Sequence, residues 1–67
     1  MFIGKRIYDT RINKGISQMQ LAIATGINPV SISNYETNKK TPQFTNLKKI
    51  AEALGVTTDY LQSIKRY

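Results

Sequence analysis

Glycines at 15, 26 and 55 and prolines at 29 and 42 cut this chain into pieces too short for anything but small helices or single strands. Strand-like alternation persists in none of them, whereas apolar residues recur at spacings of three and four. Ile3 and Ile7 lie one turn apart, with Arg11 a further turn along the same face, and Gly15 closes the segment beside Lys14. Ser17, an N-cap type, opens a second segment that runs through Leu21, Ala22 and Ile23 to Gly26. Asn28-Pro29 opens a third: an N-cap, then proline at the first helical position, where its missing N–H costs nothing. That segment continues through Val30, Ile32 and Tyr35 to Glu36. A fourth follows Pro42 with Leu47, Ile50, Ala51 and Leu54, and ends at Gly55. Thr57 caps a fifth, with Asp59 in its first turn and Leu61 and Ile64 on its apolar side. The expected fold is all-α, five short helices in one domain over residues 1–67.

Size and composition narrow the function. A chain of 67 residues buries only about 60% of its unfolded surface, near the lower limit for a self-supporting core, and no cysteine staples it. Zero cysteines and zero histidines remove the usual zinc sites, thiol nucleophiles, redox pairs and histidine bases. The carboxylates are Asp9, Glu36, Glu52 and Asp59, scattered along the chain, so neither enzymatic activity nor a metal or other cofactor is expected. No apolar run approaches the roughly 20 residues of a membrane span and no signal-peptide core follows Met1, which predicts a cytoplasmic, nucleoid-associated chain. Ten Lys and Arg against four Asp and Glu leave a net charge of +6, which favours a polyanionic partner. A membrane-surface helix would concentrate its lysines on one amphipathic face, and here they are dispersed.

The informative stretch is Gln18 to Glu36, two helical segments separated by a few residues with a glycine at the joint. Helices joined so tightly cross steeply, so small residues are needed where their backbones meet. Ala22 supplies the close approach and Gly26 the turn, with Leu21, Ile27, Ile32 and Tyr35 directed inward. This is a helix-turn-helix, whose second helix projects into the major groove of DNA. With Ile32 and Tyr35 inside, Pro29, Val30, Ser33 and Asn34 occupy the outward face. Asn34 carries the amide that pairs bidentately with adenine, Val30 can meet a thymine methyl, and Ser33 suits either base type. Asn28, at the helix start, reaches for a base edge or a phosphate. Exposed Asn and Ser are most often merely hydrated, but a helix with no Lys, Arg or Glu in its middle fits a face meant for bases.

The run Ile3-Gly4-x-Arg6-Ile7, then Gly15-Ile16-Ser17-Gln18-x-x-Leu21-Ala22, Gly26-Ile27, Ile32-Ser33-x-x-Glu36, and Thr41-Pro42 before Leu47-x-x-Ile50-Ala51-x-Ala53-Leu54-Gly55-Val56 resembles the Xre family of phage lambda repressor and Cro-like domains. The likeness extends from Ile3 to Leu61. It implies a lambda-repressor-like DNA-binding domain with the helix-turn-helix at helices two and three, and a homodimer on a palindromic operator. It further implies that Gln18 touches phosphate and supports the first reading side chain, that Ser17 contacts the DNA backbone, and that Lys39 and Lys40 grip phosphates. Arg11 and Glu36 match an internal pair between helices one and three. The chain departs from the family pattern at Asn38, where glycine is commonest, at Pro29, which has no polar side chain, and at Thr10, where an apolar residue is frequent. Tyr8 and Ile12 form an apolar pair off the main stripe, to be covered by Ile64 or Tyr67 or left as scattered surface residues. Phe44, Val56, Tyr60 and Leu61 are expected in the core rather than in an isologous patch, because so short a chain has few apolar residues to spare.

The function expected is a sequence-specific double-stranded DNA-binding transcriptional regulator, a repressor of prokaryotic, phage or mobile-element type. The alternative is a protein-interaction module on the same fold, such as an antitoxin or antirepressor. With no sensor, ligand or protease domain in this sequence, the chain is expected to be either a short Cro-like repressor or the DNA-binding part of something longer.

Overall fold

A computed structural model describes residues 3–62 of the chain. The helices are α1 (Ile3–Lys14), α2 (Gln18–Thr25), α3 (Pro29–Glu36), α4 (Phe44–Leu54) and α5 (Thr58–Gln62), with no strand among the described residues. Local chemistry sets most of the boundaries. Ser17 Oγ accepts the Gln20 N–H at 3.0 Å while Gln20 Oε1 accepts the Ser17 N–H at 2.7 Å, a reciprocal capping box that starts α2. Gly26, at φ 73°, ends α2 by donating its N–H to Ala22 O at 2.8 Å. Asn28 Oδ1 accepts the Val30 N–H at 2.8 Å and starts α3. Thr57 Oγ1 accepts the Tyr60 N–H at 3.0 Å and starts α5. α4 begins two residues after Pro42, with Gln43 as an N-cap that makes no side-chain bond.

α1 packs on α3, α4 and α5, and α2 packs on α3 and α4. The core they enclose holds Ile3 and Ile7, Leu21 and Ala22, Ile27, Ile32 and Tyr35, Leu47, Ile50, Ala51 and Leu54, and Leu61. The helical spacings of the sequence therefore point inward as expected, with Ile23 an exception at 75% exposed.

Two aromatics expected in the core lie outside it. Phe44 is 62% exposed, because it is the first residue of α4 and stands one turn ahead of the layer that Leu47 begins. Tyr60 is 44% exposed, and its ring lies beneath the Arg6 guanidinium, 4.8 Å from the centroid, so one face is covered by a cation rather than by apolar packing. Leu61 is in the core and Val56 packs against it. Tyr8 and Ile12 are both exposed, and their expected covers, Ile64 and Tyr67, lie outside the described residues. Thr10 is buried without loss, since its hydroxyl donates to Arg6 O at 2.7 Å.

At Gly4, α1 lies tightly against the C-terminal end of α3. A Cβ there would lie 2.7 Å from Asn38 Oδ1, 2.9 Å from Glu36 O, and closer still to the Tyr35 carbonyl oxygen. α1 can rest on the C-terminal end of α3 only because residue 4 has no side chain. Gly4→Ala gains up to about 1 kcal/mol in helix propensity. It also forces two backbone segments apart, a larger cost. We expect a net loss of about 2 kcal/mol, roughly 10 °C in a thermal melt for a domain of this size. A variant that melts with the parent would show that the two helices are not in contact.

Candidate nucleic-acid interface

One carboxylate ties the end of α3 to both preceding helices. Glu36 Oε2 accepts Arg11 Nε at 2.7 Å, and Glu36 Oε1 accepts both Arg11 Nη2 at 3.0 Å and Gln18 Nε2 at 2.9 Å. Arg11 Nη1 donates to Ile16 O at 2.9 Å, at the joint between α1 and α2. Arg11 is 6% exposed and Glu36 9%, so α1, the α1–α2 joint, the start of α2 and the end of α3 meet at a nearly dry ion pair. The hydrogen bond to Glu36 holds the guanidinium pKa above its ordinary value against the opposing effect of burial. The Tyr8 ring flanks the same guanidinium at 5.3 Å.

Above this pair stands the outward side of α3. Val30 is 67% exposed, and Pro29, Ser33 and Asn34 are half-buried, each turned away from the Ile32–Tyr35 side. From Ser17 to Tyr35 the sequence carries no Lys, Arg, Asp or Glu. Asn28 lies at the near end of this face, with its amide oxygen committed to the Val30 N–H. Lys39 and Lys40 lie exposed at the far end, and their backbone N–H groups both donate to Asn34 O, at 2.9 and 3.2 Å. Ser17 and Gln18 begin α2, the first exposed and the second half-buried by its bond to Glu36. The face is therefore uncharged in the middle and cationic at the α3 exit.

Two features were not foreseen from the sequence. Thr25 is buried in the turn, where its hydroxyl donates to Leu21 O at 2.8 Å and accepts the Ile27 N–H at 3.2 Å. A threonine two residues before the buried turn residue Ile27 is the recognisable signal, since Thr readily bonds local backbone. Gln18 as a partner of Glu36 carries no signal at sequence level, because the two are 18 positions apart and meet only when the helices cross. Among the described residues no group of three His, Cys, Asp or Glu could hold a metal ion, and no helix is long and apolar enough to cross a membrane.

A bundle of this kind, with a short helix held outward across a tight turn, is a lambda-repressor-like domain. The chain belongs to the helix-turn-helix family, whose model matches residues 7–61. It is 38% identical over 58 residues to the SPbeta prophage-derived HTH-type transcriptional regulator YonR of Bacillus subtilis (strain 168), a match covering 87% of this chain and 54% of YonR. The N-terminal DNA binding domain of SinR from Bacillus subtilis superposes with a TM-score of 0.90 at 33% identity, covering 98% of this chain and 97% of that one. The P22 c2 repressor in complex with synthetic operator 9T superposes with a TM-score of 0.86 at 33% identity, covering 91% and 92%. The chain spans about half the length of the curated relatives it matches.

Removing one member of the ion pair leaves the other buried and uncompensated. Glu36→Ala should cost about 3–5 kcal/mol. A domain this small has a total stability of only about 5 kcal/mol. A urea melt should therefore show a variant with only about 0–2 kcal/mol left, which unfolds at the first additions of urea. Replacing both partners together, with Arg11→Met and Glu36→Leu, should recover most of the loss, since two charges then need no burial. An unchanged melt for Glu36→Ala would place both residues at the surface.

Proposed function

We propose that this chain is a sequence-specific, double-stranded DNA-binding transcriptional regulator of repressor type, with α3 lying in the major groove. The observation that carries the reading is the α3 face itself. It is outward, uncharged from end to end, and followed at once by two exposed lysines. A solvated helix ordinarily mixes charges into such a face, whereas base edges are met by amides, hydroxyls and small apolar groups. Asn34 reads adenine, Val30 contacts a thymine methyl, Ser33 serves either base, and Pro29 offers an apolar surface beside them. Asn28 keeps its amide nitrogen for a base edge or a phosphate, its oxygen being used as a cap.

The backbone contacts come from both ends of the motif. Ser17 Oγ accepts from Gln20, so its own O–H remains free to donate to phosphate. Gln18 gives one amide proton to Glu36 and retains the other, together with its first-turn N–H. Lys39 and Lys40 supply charge. In this reading the chain acts in the cytoplasm on chromosomal or mobile-element DNA, as a homodimer on a palindromic operator. That the similar P22 c2 repressor is in complex with a synthetic operator supports operator DNA as the partner. The interaction-module alternative rests on Met19 and Ile23, one turn apart on α2 and 56% and 75% exposed.

Titration of variants on a selected operator and on scrambled DNA, across a salt series, tests the division between reading and gripping. Asn34→Ala should cost about 1–3 kcal/mol on the operator, flatten discrimination at one base pair and leave scrambled DNA almost unaffected. Lys40→Ala should weaken both DNAs alike and reduce the salt slope by about one unit. Equal weakening of both DNAs by Asn34→Ala would remove α3 as the reader and favour the interaction module.

Dimerisation has its own test. Half-site centres about 34 Å apart place both α3 helices on one side of the duplex. A full palindrome should accordingly bind more tightly than an isolated half-site, and equal affinities would leave the chain a monomer on DNA.

A further inference from the structure

Asn38 stands where the chain leaves α3. Its φ is 64°, and its N–H donates to Tyr35 O at 3.1 Å. Glycine would make the same corner with less strain, since only glycine enters that region freely. What asparagine adds is an oxygen. Asn38 Oδ1 accepts the Gly4 N–H at 3.3 Å, across 34 positions of sequence. Gly4 is the second residue of α1, so its N–H is one of the first-turn donors that have no partner within their own helix. The loop after α3 thus caps α1 from a distant part of the chain, and the missing Cβ at Gly4 gives the amide room to approach.

The lysines assigned to phosphate follow immediately. Their backbone N–H groups converge on Asn34 O, which belongs to the residue assigned to adenine. The segment is therefore anchored to α3 through main chain and to α1 through one side chain. We propose that Asn38 is a positioning residue for the DNA backbone: by capping α1 it fixes the direction in which Lys39 and Lys40 leave α3. This rests on α3 and its following loop being the DNA face. A loop ordered before binding does not lose that freedom on binding, so the anchor contributes affinity without touching DNA. The contribution is blind to sequence, because phosphate contacts position the protein and carry no base information. Linkage also requires the converse. DNA that immobilises Lys39 and Lys40 tightens the cap on Gly4.

The test uses the full chain with Asn38→Gly, which keeps the left-handed corner and removes the oxygen. Affinity for a scrambled duplex is measured by fluorescence anisotropy well below the melting temperature, and Gly4 amide exchange by NMR with and without saturating duplex. The expected result is a loss of about three- to tenfold on scrambled and operator DNA alike. In the parent, the Gly4 amide should exchange more slowly when DNA is bound, and in the variant it should not respond. A lower melting temperature with unchanged affinity would make Asn38 an ordinary cap and overturn the proposal, as would a Gly4 amide indifferent to DNA in the parent. If Lys40→Ala weakens binding and Asn38→Gly does not, positioning fails while the DNA face stands. If the parent binds duplex without salt dependence, the DNA face fails and takes the positioning role with it.

Discussion

A single carboxylate, Glu36, receives three hydrogen bonds from two helices that precede it in sequence. This arrangement ties the C-terminal end of α3 to α1 and to the start of α2. A helix of eight residues has too few turns to be stable alone, so its orientation comes from what holds its ends. Ile32 and Tyr35 bury one side of α3, but apolar contact is non-directional and would tolerate rotation. The fork of Arg11 on Glu36 has fixed geometry, and a further donor on Nη1 bonds Ile16 O, which ties in the α1–α2 joint as well. Such a pair is a weak source of net stability. Its contribution is the specification of one arrangement among several that a small core would otherwise allow.

That division of labour explains where the charges are. The stretch from Ser17 to Tyr35 holds none, so α2 and α3 present amides, hydroxyls and apolar groups. The charge that holds this stretch comes from just outside it, from Arg11 before and Glu36 after. Lys39 and Lys40, the proposed phosphate contacts, likewise lie outside it and are exposed. In the proposed reading, affinity and sequence discrimination are carried by different residues, which would let one change without the other. The two are joined through the main chain, because Asn34 O receives the N–H groups of both lysines.

Helix boundaries were legible in the sequence because caps are local chemistry. Ser17, Gly26, Asn28-Pro29 and Gly55 each stand where a helix starts or stops, and most of the inward residues of α1, α3 and α4 follow from spacing. The Arg11–Glu36 pair was legible through family resemblance and not through spacing, since 25 positions separate the partners. Contacts made only by the crossing of helices left no mark in the sequence. Gln18 on Glu36, Asn38 on Gly4, and Asn46 Nδ2 on the Tyr35 hydroxyl at 3.0 Å belong to that class. Phe44 and Tyr60 were misplaced for a related reason. Composition says how many apolar residues a core needs, but not which of them sit at a helix end or beneath a guanidinium.

The most direct test of the account is a chemical-shift titration of the isotopically labelled chain with duplex DNA carrying a selected site. The account predicts that the Asn34 side-chain amide and the backbone of residues 29–34 shift most, together with the start of α2 and the loop at Lys39 and Lys40. Shifts confined to the lysine loop, or centred on Met19 and Ile23 with α3 silent, would contradict it.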